Sequence, residues 1–222
     1  KFIKIIPAMI LALAADIIFE VNFPVVREIN INTEKMEKGQ KITFLQVSDF
    51  HGSTSKSIKK KLIKEAHEKN PDAVLITGDL VDRETASFDN IYSLIKELRS
   101  ACPNIFFVSG NHEWGNDNRK ELIKQLKDME VVMLNNKNTV FTAGGTSINI
   151  CGVDDPYIGR DNVGEAMKDI DNKKFTVLLA HSPGIRYKLE NYAPDLILCG
   201  HTHGGQIRLP FVGAVVAPGE DF

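Results

Sequence analysis

An α/β fold built around a mostly parallel sheet is what this 222-residue sequence predicts, on three observations. Short apolar runs rich in Val, Ile, Leu or Phe occupy 42–47, 73–77, 105–109, 175–180 and 196–199. Runs of that length, apolar on both faces, are the pattern of strands buried between helices. Between the first four of them lie patterns of helical period, and strand–helix–strand alternation implies right-handed crossovers. From 131 to 153 the rhythm changes to short runs separated by Asn135-Asn136 and Gly144-Gly145, which predict antiparallel hairpins in a second sheet.

Taken in order, residues 1–22 stand apart. Lys1 and Lys4 precede an apolar stretch interrupted only by Pro7 and Asp16, and Ala12-Leu13-Ala14 resembles a cleavage site. This predicts a membrane anchor or export segment, with the domain at 23–222 on the extracytoplasmic side and the cytoplasmic face as the alternative. A strand is expected at 25–31. Serines between 53 and 57 offer N-caps for a helix reaching Lys69, with Ile58, Leu62 and Ala66 on its buried face. Asn70-Pro71-Asp72 ends it. Further helices are expected at 88–99, 118–129 and 163–170. Runs at 131–134, 139–142 and 147–152 supply the hairpins. The chain stops at Phe222 in what reads as mid-loop, so a truncated C-terminus is expected.

The residues at the end of each apolar run carry the chemistry. Asp49 and His51 come after the first, Gly78-Asp79 after the second, Gly110-Asn111-His112 after the third, His181 after the fourth, and Gly200-His201-Thr202-His203 after the last. Five of the six histidines therefore lie at strand ends; His67 sits on a helical pattern among Lys and Glu. In open α/β sheets, ligands bind outside the carboxyl ends of the strands. Imidazole, carboxylate and amide oxygen without thiolate suit Mn, Fe, Zn, Co or Ni. Seven candidate ligands exceed the needs of one ion that keeps an open position. Two ions about 3.5–4 Å apart would clamp the oxygens of an in-line phosphoryl displacement by a bridging hydroxide.

Asp49-x-His51, Gly78-Asp79, Gly110-Asn111-His112-Glu113, His181 and Gly200-His201-Thr202-His203, in that order, resemble the calcineurin-like metallophosphoesterase superfamily over about 41–210. Gly-His-Thr-His-Gly-Gly-Gln-Ile-Arg-Leu-Pro and Gly-Val-Asp-Asp-Pro resemble a bacterial membrane- or export-associated branch, some of whose members act on lipid-linked diphosphates. The resemblance implies a layered α/β/β/α sandwich of two mixed sheets flanked by helices. It also implies a phosphohydrolase using two divalent transition-metal ions, with Mn preferred over Zn, Fe, Ni or Co. Asp49, His51 and His203 would hold one ion, Asn111, His181 and His201 the other, and Asp79 would bridge them. His112 would lie beside the substrate phosphate as the catalytic acid or polarising group. Purple acid phosphatases of this superfamily carry a tyrosine three residues after the bridging aspartate. Here Asp82 stands there, which favours a divalent pair over an iron–tyrosinate centre.

Arg160, Gln206 and Arg208 are the expected substrate-binding side chains, with Tyr157 and Trp114 at the pocket edge. The substrate class expected is a phosphorylated small molecule or a lipid- or nucleotide-sugar-linked diphosphate, met at a membrane through the N-terminus. With 27 basic against 29 acidic residues, the chain lacks the footprint of a nucleic-acid binder, so a nuclease of the same superfamily is a weaker alternative. A silent metal-binding scaffold is the other. Lys56, Lys59, Lys60, Lys61 and Lys64 form either a solvated helix face or a patch for anionic headgroups. Three scattered cysteines imply no disulfide framework or thiolate metal site.

Overall fold

A computed structural model describes residues 24–205 together with the backbone of strands 207–209 and 213–216. The stretch at 1–22, expected to be an anchor or export segment, and the chain end at Phe222 lie outside the described residues. The first sheet runs β1 (Phe44–Val47), β2 (Ala73–Ile76), β3 (Ile105–Phe107), β4 (Val132–Met133), all parallel. The second runs β5 (Lys137–Ala143), β6 (Thr146–Gly152), β7 (Thr176–Leu179), β8 (Leu196–Leu198). Within it β5–β6 is an antiparallel hairpin, while β6–β7 and β7–β8 are parallel. Strands β9 (Ile207–Leu209) and β10 (Gly213–Val216) pair with each other.

Side-chain alternation along β2 and β3 explains the layers. Val74, Ile76, Ile105 and Phe107 face outward into helices α1 (Lys56–Lys69), α2 (Asp89–Ala101) and the helix at Arg119–Asp128, meeting Ile91, Leu94, Leu98, Leu122 and Leu126. Ala73, Leu75, Phe106 and Val108 face inward and pack on Phe141, Ile148, Ile150, Val177 and Leu179 of the second sheet. The far side of that sheet, Cys151, Leu178 and Ala180, is covered by Val163, Ala166, Met167 and Ile185. The expected α/β/β/α sandwich is therefore the observed fold, although of its two sheets only the second is mixed; the first, among the described residues, is all parallel.

Several elements differ from expectation. Val132 and Met133 do not join a hairpin; they pair parallel with Phe106 and Phe107, because Val131 is anchored in the helix-facing core at the return of a crossover. That crossover contains two helices, α3 (Asn111–Gly115) and α4 (Arg119–Asp128), the first of them unexpected. The helix anticipated at 163–170 is only α5 (Val163–Ala166), since the Asn138 amide takes the carbonyls of Ala166 and Lys168 and Asp169 turns left-handed at φ 57°. A 3₁₀ turn, Pro183–Lys188, completes that layer. No strand forms at 25–31; Val25 and Ile29 are 78% and 80% exposed.

Helix α1 is capped as expected, Ser55 Oγ accepting from Ile58 N–H and Asn70 closing it in the left-handed region. Four of its lysines are engaged: Lys59 with Ser93 and Glu97, Lys61 with Glu65, Lys64 with Glu68, and Lys69 with Glu28. No helix among the described residues is long and apolar enough to cross a membrane.

Candidate metal centre

The carboxyl ends of β1, β2, β3, β7 and β8 converge on one rim. Asp49 N–H donates to Gly78 O, His51 N–H to Asp79 O and Gly52 N–H to Leu80 O, which knits the β1 and β2 loops into one unit. Gly200 N–H donates to His181 O, tying β8 to β7, and His201 N–H donates to the Asp49 carboxylate at 3.0 Å, tying β8 to β1. The two sheets are thereby joined by the bond from the His201 N–H to the carboxylate of Asp49, itself a candidate ligand.

Tight approach needs glycine here. A Cβ at Gly110 would collide with Asp79 Oδ1 and the His181 ring, and one at Gly200 with Ser48 Oγ and Asp49 Oδ2. The candidate ligands themselves carry strain. Asp49, His51, Asp79, His201 and His203 have φ between 49° and 69°. Asp and His tolerate this region better than most residues, at about 1–2 kcal/mol each. Such outliers cluster where function holds them.

Three sets of side chains each bring one ligand atom apiece within 4.8 Å of one another: Asp49, His51 and His203; His51, Asp79 and His112; Asp79, His181 and His201. Asp79 is thus common to two sets, and its Oδ2 lies 3.0 Å from His181 Nε2 and 3.9 Å from His51 Nε2. Ring orientations are fixed from behind. His181 Nδ1 lies 2.8 Å from Thr77 O, a carbonyl that can only accept, so Nδ1 carries the proton and Nε2 faces the centre. His51 Nδ1 bonds Asp82 Oδ1 at 2.7 Å, turning its Nε2 the same way. Nε2 of His51, Nε2 of His201 and Oδ1 of Asn111 are buried without a hydrogen-bond partner. Buried polar atoms are ordinarily paired. Three orphans that are all lone-pair donors of the types transition metals take make this donor set fit a metal.

Electrostatics agree with that. Burial opposes the charge on His181, but Asp79's hydrogen bond and charge, with Asp49 behind it, push its pKa up to about 9. Burial likewise opposes ionisation of Asp79, yet His181 and the His112 N–H hold it below the usual carboxylate range. His201 is lowered by burial and by the neighbouring His181 charge. Without a cation, one proton on His181 does part of a cation's work.

His112 is partly exposed and lines a cleft of ≈ 430 Å³ with Asp82, Arg83, Glu84 and Thr85. Its Nε2 is 3.9 Å from Asp79 Oδ2 and its Nδ1 3.3 Å from Asp82 Oδ1. Tyr157 packs against His201 with ring centroids 4.7 Å apart, and Arg160 lies over Trp114. Gln206 and the side chain of Arg208 fall outside the described residues.

Three carboxylates take positioning roles that their spacing does not give. Glu113, fully buried, accepts from the N–H groups of Asp79, Leu80 and Gly110 at 2.6–2.9 Å and so pins the loops that carry Asp79 and Asn111. Burial and the Asp79 charge push it up to about 7. Asp82 orients His51. Asp154 accepts from Trp114 Nε1 and Asn135 Nδ2. The only sequence cue for Glu113 is its place in Gly-Asn-His-Glu.

Residues 42–205 match the family model described as calcineurin-like phosphoesterase. The chain belongs to this family. It is 34% identical over 195 residues to an uncharacterized metallophosphoesterase of Helicobacter pylori strain J99, covering 85% of this chain and 50% of that protein. With Bacillus subtilis YpbG it shares 35% identity, over 78% of this chain and 66% of the relative. Phosphodiesterase YaeI of Escherichia coli is 30% identical, over 82% and 67%. The chain thus spans about half to two thirds of the length of these relatives. TT1561 of Thermus thermophilus shares the fold, with TM-score 0.53 and 15% identity, over 72% of this chain and 81% of that one. So does a 5'-nucleotidase precursor from the same organism, at 0.52 and 16%, over 76% and 43%.

Proposed function

We propose that this chain is a dinuclear metal-dependent phosphohydrolase that cleaves phosphoester or diphosphate bonds. The observation that carries this is the overlapping cluster of Asp49, His51, Asp79, His181, His201 and His203, together with buried atoms of His51, His201 and Asn111 that have no protein partner. Asp49, His51 and His203 would hold one ion, Asn111, His181 and His201 the other, with Asp79 shared. Membership of the family and the likeness to a relative named a phosphodiesterase support the reading.

The ions, when bound, supply Lewis acidity toward a phosphoryl oxygen and lower the pKa of a water to about 7. The chain's own residues do the rest. Thr77 O and Asp82 fix the tautomers and angles of His181 and His51, as outer-shell partners do in metal sites. His112, open to the cleft beside Asp79, positions the phosphate and hands a proton to the leaving oxygen. The imidazole, carboxylate and amide set admits Mn, our first choice, as well as Zn, Fe, Ni or Co. A lipid- or nucleotide-sugar-linked substrate at the extracytoplasmic membrane face is the proposed context, resting on the apolar stretch at 1–22.

The test is hydrolysis of bis(p-nitrophenyl) phosphate by Mn-loaded protein and by Asp79→Ala. The proposal expects turnover by the first and a loss of about 10²–10³-fold in the second, the scale on which removing one group that stabilises the transition state acts. Full activity in the variant would overturn it.

A further inference from the structure

One cationic feature at the rim is left unused by this chemistry. Trp114, the only tryptophan in the chain, has Arg160 Cζ 3.4 Å and Arg119 Cζ 4.0 Å from its ring centroid. Van der Waals contact leaves no room for both on one face at those distances, so the two guanidiniums clasp the indole from opposite sides. Stacking on an aromatic face leaves a guanidinium's in-plane N–H groups free, and those are the ones that bind phosphate bidentately.

The stack is under-neutralised. Asp154 Oδ2 approaches Arg160 Nε at 3.4 Å, while its Oδ1 is taken by Trp114, Asn135 and the Asp155 N–H. Among the described residues no carboxylate pairs with Arg119 or with the terminal nitrogens of Arg160. The Arg160 side chain as a whole is 45% exposed. Position ties the stack to the site. Trp114 lies on α3, three residues after Asn111 and two after His112, within about 5 Å along a helix axis. Arg160 ends the loop whose Tyr157 packs on His201. The loop therefore bridges the stack and the Asn111–His201 side of the centre.

From this we propose that Arg160 and Arg119, held by Trp114, form a second anion subsite that selects substrates bearing a diphosphate. It rests on the phosphohydrolase reading and names its substrate class. The phosphate at the metal centre is attacked: its phosphorus gains the water's oxygen and the bridging P–O bond breaks. The bond's electron pair stays on the oxygen of the second phosphate, which the guanidiniums hold and His112 protonates, and the water's proton passes to solvent, from which His112 is reprotonated.

Because Trp114 is unique, its emission reports on this subsite alone. In metal-free protein at constant ionic strength, inorganic pyrophosphate is expected to change that emission at concentrations about tenfold below those needed with orthophosphate. Arg160→Gln and Arg119→Gln each remove the difference. In Mn-loaded enzyme the ratio of kcat/KM for ADP-ribose to that for bis(p-nitrophenyl) phosphate is expected to fall about 10–100-fold in Arg160→Gln, mainly through KM, the range of one charge-assisted hydrogen bond. Arg160→Lys, which keeps charge but not the planar stack, recovers only part of it. Emission that ignores both anions, or a ratio unchanged in Arg160→Gln, overturns the subsite. Absence of all hydrolysis by wild type would defeat the phosphohydrolase reading instead, and the emission titration would still decide the subsite.

Discussion

Replacing Glu113 with Gln probes how the rim is held. The carboxylate is fully buried, with Oε1 accepting from Leu80 N–H at 2.6 Å and Oε2 from Asp79 and Gly110 N–H at 2.9 and 2.7 Å. Burial and the Asp79 charge place its pKa at about 7, so at pH 8 it is ionised and these bonds are charge-assisted. Glutamine keeps one oxygen and turns an NH₂ toward backbone donors, stranding the two that shared Oε2. Each stranded buried N–H costs about 1–3 kcal/mol, or about 2–6 kcal/mol together. For a chain of this size that lowers Tm by roughly 4–24 °C. Thermal unfolding by circular dichroism at pH 8, with exposed Glu97→Gln as control, measures it. Metal content should fall too, because two of the stranded donors belong to Asp79 and to Gly110, which precedes Asn111. A Glu113→Gln protein melting within about 2 °C of wild type, below the smallest expected shift, with its metal intact would refute the positioning role.

Other consequences come from the same geometry. Asp82→Asn weakens the bond that orients His51, and metal affinity by isothermal titration is expected to drop about 10–100-fold with little change in Tm. Gly200→Ala drives a Cβ into Ser48 Oγ and the Asp49 carboxylate, so bound metal is expected to fall while far-ultraviolet circular dichroism stays native. In metal-free protein His181 is raised to about 9, so it is protonated at pH 7 on the Nε2 that a cation would take. Metal uptake at pH 7 should therefore release about one proton from it, seen by calorimetry in buffers of differing ionisation enthalpy, and none from it at pH 10. The sign for stability is the same: His181's contribution is complete below pH 6.5 and is lost as pH rises through about 9. Metal-free protein is expected to melt lower at pH 10 than at pH 7, less so in His181→Gln.

How much of this is legible in the sequence depends on whether the signal is local. Asp49, Asp79, Asn111, His181 and His201 are readable because each closely succeeds an apolar run, and strand ends in an α/β sheet share one rim. The hairpin β5–β6 is readable from Gly144-Gly145. Val132–Met133 defeats sequence reading because a two-residue strand has no period, and only the crossover through α3 and α4 decides its partner. The helix after Asn162 stops early because Asn138, distant in sequence, takes its carbonyls. Glu113 and the Trp114–Arg160 half of the stack are hidden for the same reason: their meaning lies in partners 30 or more residues away. The lysines of α1 read as a single charged run, yet three of them are paired with neighbours on α1 or α2.

The central claim is that two cations sit on either side of Asp79. Anomalous diffraction from crystals grown with Mn tests it most directly. Two peaks are expected, one among Asp49, His51 and His203 and one among Asn111, His181 and His201, with Asp79 touching both. A single peak away from Asp79, or none at full Mn saturation, would contradict it.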